Sequence, residues 1–174
     1  MNFNKLRIML NGKELHNECI IVNHLEENLT QHGCDIRLRK VSVVKGQGFI
    51  PREGKTMLPS YEEIQSFLDI NGNEVWHLSP GYYMIDFIEG CNIPKNKMGR
   101  IVQRSSVARC GAWIYSSIFD AGFHTDSMGT FMEVFHPITI EKNARVAQFY
   151  CYDCTDVNEE DLYNGQYQND KQRK

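Results

Sequence analysis

No apolar run in the 174-residue chain approaches the roughly 20 residues that a membrane-spanning helix requires. Basic excess is also missing. Lys and Arg total 19 against 22 Asp and Glu, for a formal net charge of -3, so neither a nucleic-acid coat nor a polybasic membrane binder is expected. The segment Met1–Lys13 carries Asn2, Asn4, Lys5 and Arg7 among its apolar residues and lacks the apolar stretch and cleavage site of an export signal. An intracellular, cytoplasmic protein is the expectation. There is no repeat and no low-complexity block, and helical periodicity is scarce. Only Leu6–Leu15 and Tyr61–Leu68 suit short helices. Of the six cysteines, Cys151 and Cys154 form a C-x-x-C, half of a zinc site by spacing, but no second pair follows. Buried thiols are the better reading, and a chain of this length has no need of disulfides.

What the chain does have is short apolar or alternating pieces bounded by Gly, Pro, Asn and Asp, the pattern of strands. Strands are predicted at Asp35–Val44, Trp76–Leu78, Tyr82–Ile88, Arg100–Gln103, Trp113–Ser116, Thr130–Phe135, Ile138–Ile140 and Ala147–Tyr152. All five prolines fall between these pieces. Many short strands so spaced predict an all-β sandwich or distorted barrel. One β domain is expected over residues 1–160. An insert covers 46–69, with Gly46–Pro59 as a long loop or hairpin, and a polar, flexible arm covers 161–174.

The chemistry-bearing stretch is Arg104-Ser105-Ser106-Val107-Ala108-Arg109, followed by Phe119-Asp120-Ala121-Gly122-Phe123. Hydroxyls donate single hydrogen bonds to an oxyanion and guanidiniums donate two at once, so the first piece reads either as a phosphate site or as a plain helical turn with surface arginines. Asp120, two residues before a glycine, either positions a water or sugar hydroxyl or caps its own turn. Glu133 lies in Thr130–Phe135, where alternation puts Phe131, Glu133 and Phe135 on one face. Exposing Glu133 would expose two phenylalanines, which favours a sheltered carboxylate.

These segments resemble the superfamily of dUTP nucleotidohydrolases and dCTP deaminases. Arg104–Arg109 is similar to its R-S-S-x-A-R signature, and Asp120–Phe123 to its aspartate-glycine-aromatic turn. Gln31–Leu38 (QHGCDIRL), Pro80-Gly81-Tyr82, Cys91–Pro94, Lys142–Gln148 (KNARVAQ) and Tyr163–Gln168 (YNGQYQ) resemble further family segments in the same order, from about residue 20 to residue 168. The resemblance implies an all-β, jelly-roll-like or β-barrel subunit of the dUTPase-like fold, assembled as a homotrimer with sites between subunits. It implies that Arg104, Ser105, Ser106 and Arg109 hold the triphosphate of a deoxyuridine or deoxycytidine nucleotide. Asp120 would contact the sugar and position the attacking water, in a turn completed by Gly122 and Phe123. Gln148, Tyr163, Gly165 and Tyr167 would close over nucleotide bound next door. Mg²⁺ would ride on the phosphates, held by their oxygens and water. Base choice in the superfamily uses backbone groups of a strand.

Two chemistries divide the superfamily. A deaminase shuttles protons with a glutamate, to which Glu133 can be matched. A dUTP hydrolase positions a water at the α-phosphate and offsets the charge that spreads over the phosphates. The segment Gly111–Asp120 (GAWIYSSIFD) resembles the shorter version of archaeal-type dUTPases, whereas deaminases are longer there. Shortening a pocket wall displaces a positioned water beyond use. Hydrolysis of dUTP is therefore the expected activity, deamination or a bifunctional enzyme the alternative, and a nucleotide-binding regulatory protein the third reading.

Overall fold

The structure, a computed structural model, describes residues 9–168. The first elements of the described residues are a short helix α1 (Gly12–Asn17), then β1 (Ile21–Val22), β2 (Leu29–Thr30) and the long β3 (Gly33–Lys45). β4 (Ser60–Glu63), β5 (Phe67–Leu68), β6 (Glu74–Leu78), β7 (Gly81–Phe87), β8 (Gly90–Asn92) and β9 (Lys97–Gln103) lead to a second helix, α2 (Ser105–Arg109). β10 (Ala112–Ile114), β11 (Ile118–Phe119), β12 (His124–Thr125), β13 (Gly129–Val134), β14 (Ile138–Glu141) and β15 (Arg145–Asp153) follow. The mostly-β architecture with few helices agrees with the expectation, and each predicted strand lies within or overlaps an observed one.

Both predicted helices need correction. Asn11 accepts from the Glu14 N–H while the Glu14 carboxylate accepts from the Asn11 N–H, and this capping box starts α1 at Gly12. Leu6, Arg7 and Ile8 of the predicted helix lie outside the described residues. Tyr61–Leu68 is not helical. Tyr61, Glu62 and Glu63 pair with Val44, Val43 and Ser42, and the Ile64 N–H continues to the Val41 carbonyl. A strand as long as β3 offers a ladder that outweighs local helix preference. Beyond that ladder, Phe49 and Met57 exchange two backbone hydrogen bonds, so Gly46–Pro59 is a hairpin.

The main sheet runs in the order β10-β13-β7-β3-β15-β9-β11. Its two ends, β10 and β11, are separated in the chain by Tyr115, Ser116 and Ser117 alone. Three residues span at most about 14 Å, so the sheet must curl until its edges meet. Hydrogen bonds cross the seam. Ile114 N–H donates to Gln103 Oε1 at 2.7 Å, Ser116 Oγ to the Ile101 carbonyl at 2.7 Å, and Ser117 Oγ to Thr130 Oγ1 at 2.9 Å. Inside, Ile36, Leu38, Ile85, Phe87, Ile101, Met132 and Phe149 are fully buried.

The buried cysteines lie in strands and the exposed ones lie outside them. Cys34, Cys91 and Cys151 are buried, while Cys19, Cys110 and Cys154 are exposed, so the buried-thiol reading holds for three of the six. Burial pushes the Cys34 and Cys151 thiols up to about 12. At neutral pH Cys151 is therefore a thiol facing the core, with Cys154 outside. Lys97 is also buried, and its Nζ meets Asp153 at 2.7 Å and Glu18 at 3.2 Å. Burial alone would lower its pKa, but the two carboxylates outweigh this and raise it. The cluster pins the end of α1 to β9 and β15. Among the described residues, no helix is long and apolar enough to cross a membrane.

Candidate active site

β9 positions both halves of the predicted site. At its C-terminal end, Arg104 caps α2 in extended backbone, its N–H donating to the Val146 carbonyl at 3.0 Å. Val107 anchors the short helix in the core, so the helical period leaves Ser105, Ser106 and Arg109 open to solvent. At the other end, Phe119 in β11 faces Gly99, and Asp120 follows it. The Phe123 N–H donates to the Asp120 carbonyl at 3.0 Å, closing a turn that leaves Asp120 exposed. Gly122 has φ +86°, in the left-handed region, and a Cβ there would come within 2.9 Å of Leu162 Cβ. The turn and the arm both require glycine at this position.

Asp35 and Arg145 join the α2 end. The Asp35 carboxylate is buried and lies 3.6 Å from Arg104 Nε and 3.6 Å from Arg145 Nη1. Arg104 Nη1 also donates to the Arg145 carbonyl at 3.2 Å. Gln148, opposite Asp35 in the ladder, donates to Thr30 Oγ1 at 2.6 Å and accepts from the Tyr150 hydroxyl. The structure thus brings Arg104 and Gln148 to one end of the barrel through a carboxylate that the sequence reading left out of the site. Its sequence signal was a charge inside the apolar piece Cys34–Leu38.

The arm residues gather at the opposite end. Tyr163 N–H donates to the Ala121 carbonyl at 2.8 Å, and its ring meets Phe123 edge-on at 5.3 Å. Tyr167 N–H donates to the Tyr163 hydroxyl at 3.4 Å, and Gly165 accepts from the Gln168 N–H at 3.2 Å. Asp120, Gly122, Phe123, Tyr163, Gly165 and Tyr167 therefore form one neighbourhood within the chain.

These two neighbourhoods do not meet within one chain. From Gly99 to Arg104 is five residues of strand, roughly 15–20 Å at the rise of an extended chain. Glu133 lies toward the α2 side, in the strand after which the Phe135 N–H donates to the Gly111 carbonyl, just past α2, at 2.8 Å. It sits in β13 opposite Trp113 and Tyr82, half-buried, and accepts from the Tyr115 hydroxyl at 2.6 Å. That hydrogen bond, with some burial, raises the Tyr115 phenol. Phe131 stacks on Tyr82 at 4.9 Å, but Phe135 is 53% exposed, Trp113 50% and Tyr82 47%. Within one chain, then, the face holding Glu133 is largely open. Phe131 and Glu133 are each half-buried on this face and Phe135 is exposed, so the shelter expected for Glu133 is only partial.

Comparison with known proteins places this geometry. The dCTP deaminase-like family model matches residues 10–154. The deoxyuridine 5'-triphosphate nucleotidohydrolase of Methanocaldococcus jannaschii is 36% identical over 143 residues, covering 82% of this chain and 88% of the relative. A probable enzyme of the same name from Methanosarcina mazei is 30% identical over 150 residues, covering 83% of each chain. Among solved structures, the dCTP deaminase of Agrobacterium tumefaciens superposes with a TM-score of 0.59 at 14% identity. The match covers 86% of this chain and 49% of that one, so this chain spans about half that protein's length and shares its fold. With the family match running from α1 through β15 and an archaeal relative at 36% identity, the chain belongs to the dUTPase and dCTP deaminase superfamily, on its archaeal dUTPase side.

Proposed function

We propose that this protein hydrolyses dUTP to dUMP and pyrophosphate in a Mg²⁺-dependent reaction, at sites completed between the subunits of a homotrimer. The observation that carries the reading is the extent of the archaeal dUTP nucleotidohydrolase match, which spans both the α2 segment and the Asp120 turn. In this reading the exposed hydroxyls of Ser105 and Ser106 and the guanidinium of Arg109 bind the triphosphate. Arg104 is braced beneath them by Asp35. Asp120 accepts a hydrogen bond from the attacking water and orients it at the α-phosphate. The cation would be held by phosphate oxygens and water rather than by a protein ligand set, and the exposed oxygens of Ser105, Ser106 and Asp120 are hard groups that suit its water shell. When bound, the cation offsets charge on the phosphates.

Assembly follows from distance. A sugar and its α-phosphate are bonded neighbours, whereas Asp120 and α2 stand at opposite ends of β9. A site using both draws them from different copies. The open aromatic face of Tyr82, Trp113 and Phe135 supports association, because exposed apolar patches of this kind mark interfaces. Glu133 weakens the deaminase alternative, since one carboxylate oxygen is already held by Tyr115.

The test incubates purified protein and Mg²⁺ with dUTP or dCTP and resolves the products. Conversion of dUTP to dUMP with dCTP untouched is expected. Conversion of dCTP would transfer the chemistry to Glu133, and binding without turnover would favour a regulatory role. Arg109→Ala is expected to weaken binding of a non-hydrolysable dUTP analogue about 10- to 100-fold, the scale of lost charge-assisted hydrogen bonds. Deoxyuridine affinity should stay within twofold on the order-of-magnitude scale of a distant contact. Equal losses for both ligands would make Arg109 structural.

A further inference from the structure

β12 is the terminal strand of a three-stranded sheet ordered β1-β8-β12. Its inner edge pairs with β8, in the register His124 to Asn92. Among the described residues no strand covers its outer edge, and an open edge binds whatever amide reaches it. Here the arm reaches it. Gln168 Oε1 accepts from the His124 N–H at 3.1 Å, and Gln168 Nε2 donates to the Gly122 carbonyl at 2.8 Å. A backbone N–H only donates and a carbonyl only accepts, so these partners fix the orientation of the carboxamide. Gly122 sends its N–H the other way, to the Ile93 carbonyl at 2.9 Å. Its positive φ is what lets one residue serve both neighbours.

A primary carboxamide carries an acceptor and a donor on one planar carbon. Uracil presents the same pair as a ring carbonyl beside N3–H. Cytosine presents it as N3 beside its exocyclic amine. A pyrimidine edge and Gln168 therefore fit one two-point contact and exclude each other. We infer that Gln168 is an internal stand-in for the pyrimidine base, so that the arm plugs its own turn until nucleotide displaces it. This rests on the proposed function, with the base set on the Gly122–His124 edge because Asp120, which that reading places at the α-phosphate, begins the same turn. Displacement frees Gln168 and the end of the arm, while Tyr163 keeps its own contacts with Ala121 and Phe123. The plug lowers apparent affinity by the fraction of chains in which the edge is open.

Calorimetric titration of the full chain with 2'-deoxyuridine, which has no phosphates, tests the plug. Gln168→Ala and Gln168→Glu are each expected to bind it about tenfold more tightly than the unaltered chain, equivalent to about 1.4 kcal/mol. The alanine lacks both contacts, and the glutamate would set an acceptor against the Gly122 carbonyl. N3-methyl-deoxyuridine, which has lost the donor, should gain nothing in either variant. Unchanged or weaker deoxyuridine binding in both variants overturns the plug, as does an equal gain for the N3-methyl compound. Cleavage of dUTP by the unaltered chain is measured alongside. Cleavage with no gain in nucleoside affinity removes the plug and leaves the hydrolase. A gain in nucleoside affinity without cleavage removes the hydrolase and leaves the plug.

Discussion

Asp120→Asn is expected to lower dUTP turnover about 10²- to 10⁴-fold, the range associated with a positioned general acid or base. The substitution keeps the size and planarity of the side chain but removes its charge and one acceptor. Asp120 is exposed, and the turn is closed by its backbone carbonyl, not its carboxylate. Folding, assembly and affinity for a non-hydrolysable dUTP analogue should therefore survive. Single-turnover rates on the variant, beside its analogue affinity, separate the two effects. A kcat near that of the unaltered chain would remove Asp120 from the chemistry. A collapse of analogue affinity equal to the loss in kcat would make it a binding group instead.

Arg37→Ala should cost about 3–5 kcal/mol of folding stability, the usual penalty for stranding one member of a buried ion pair. Glu89 is fully buried. Its carboxylate accepts the Arg37 side chain at 2.6 Å and the Arg37 backbone N–H at 2.7 Å, while Arg37 also donates to the Asn23 carbonyl at 2.8 Å. Removing the guanidinium leaves a fully buried carboxylate held by one neutral backbone donor. Neighbouring Gly90 leaves no room to adjust, since a Cβ there would fall 2.1 Å from the Thr125 carbonyl oxygen. Urea unfolding at fixed protein concentration measures the loss. A change under about 1 kcal/mol would place the pair among those exposed enough to count for little. Pairing Arg37→Leu with Glu89→Leu should recover part of the loss, because apolar replacement of both partners removes the stranded charge.

The strands were legible because their signal is local. β3 and β15 show it well, with Ile36 and Leu38 and then Val146, Ala147, Phe149 and Cys151 turned inward. The short pieces β1, β2, β5, β8, β11 and β12 were not legible. Two or three residues carry no period, and their pairing partners lie far along the chain. Tyr61–Leu68 misled for a related reason: its spacing suits a helix, but the free flank of β3 decided its state. At the candidate site, Ser105, Ser106, Arg109 and Asp120 were singled out through motif order. The sequence could not reveal that α2 and the Asp120 turn stand at opposite ends of one strand, because that follows from register. Nor could it reveal Gln168 on the Gly122–His124 edge, which depends on where an arm of ordinary polar composition comes to rest.

β9 carries a consequence for inheritance of damage. In the proposed assembly, with the Asp120 turn at one end of β9 and α2 at the other, each subunit would lend its two ends to two different sites. A lesion at one end therefore silences one site and leaves the other end's contribution to a neighbouring site intact. Two inactive chains with opposite lesions, mixed within one assembly, can thus build a whole site from their undamaged halves.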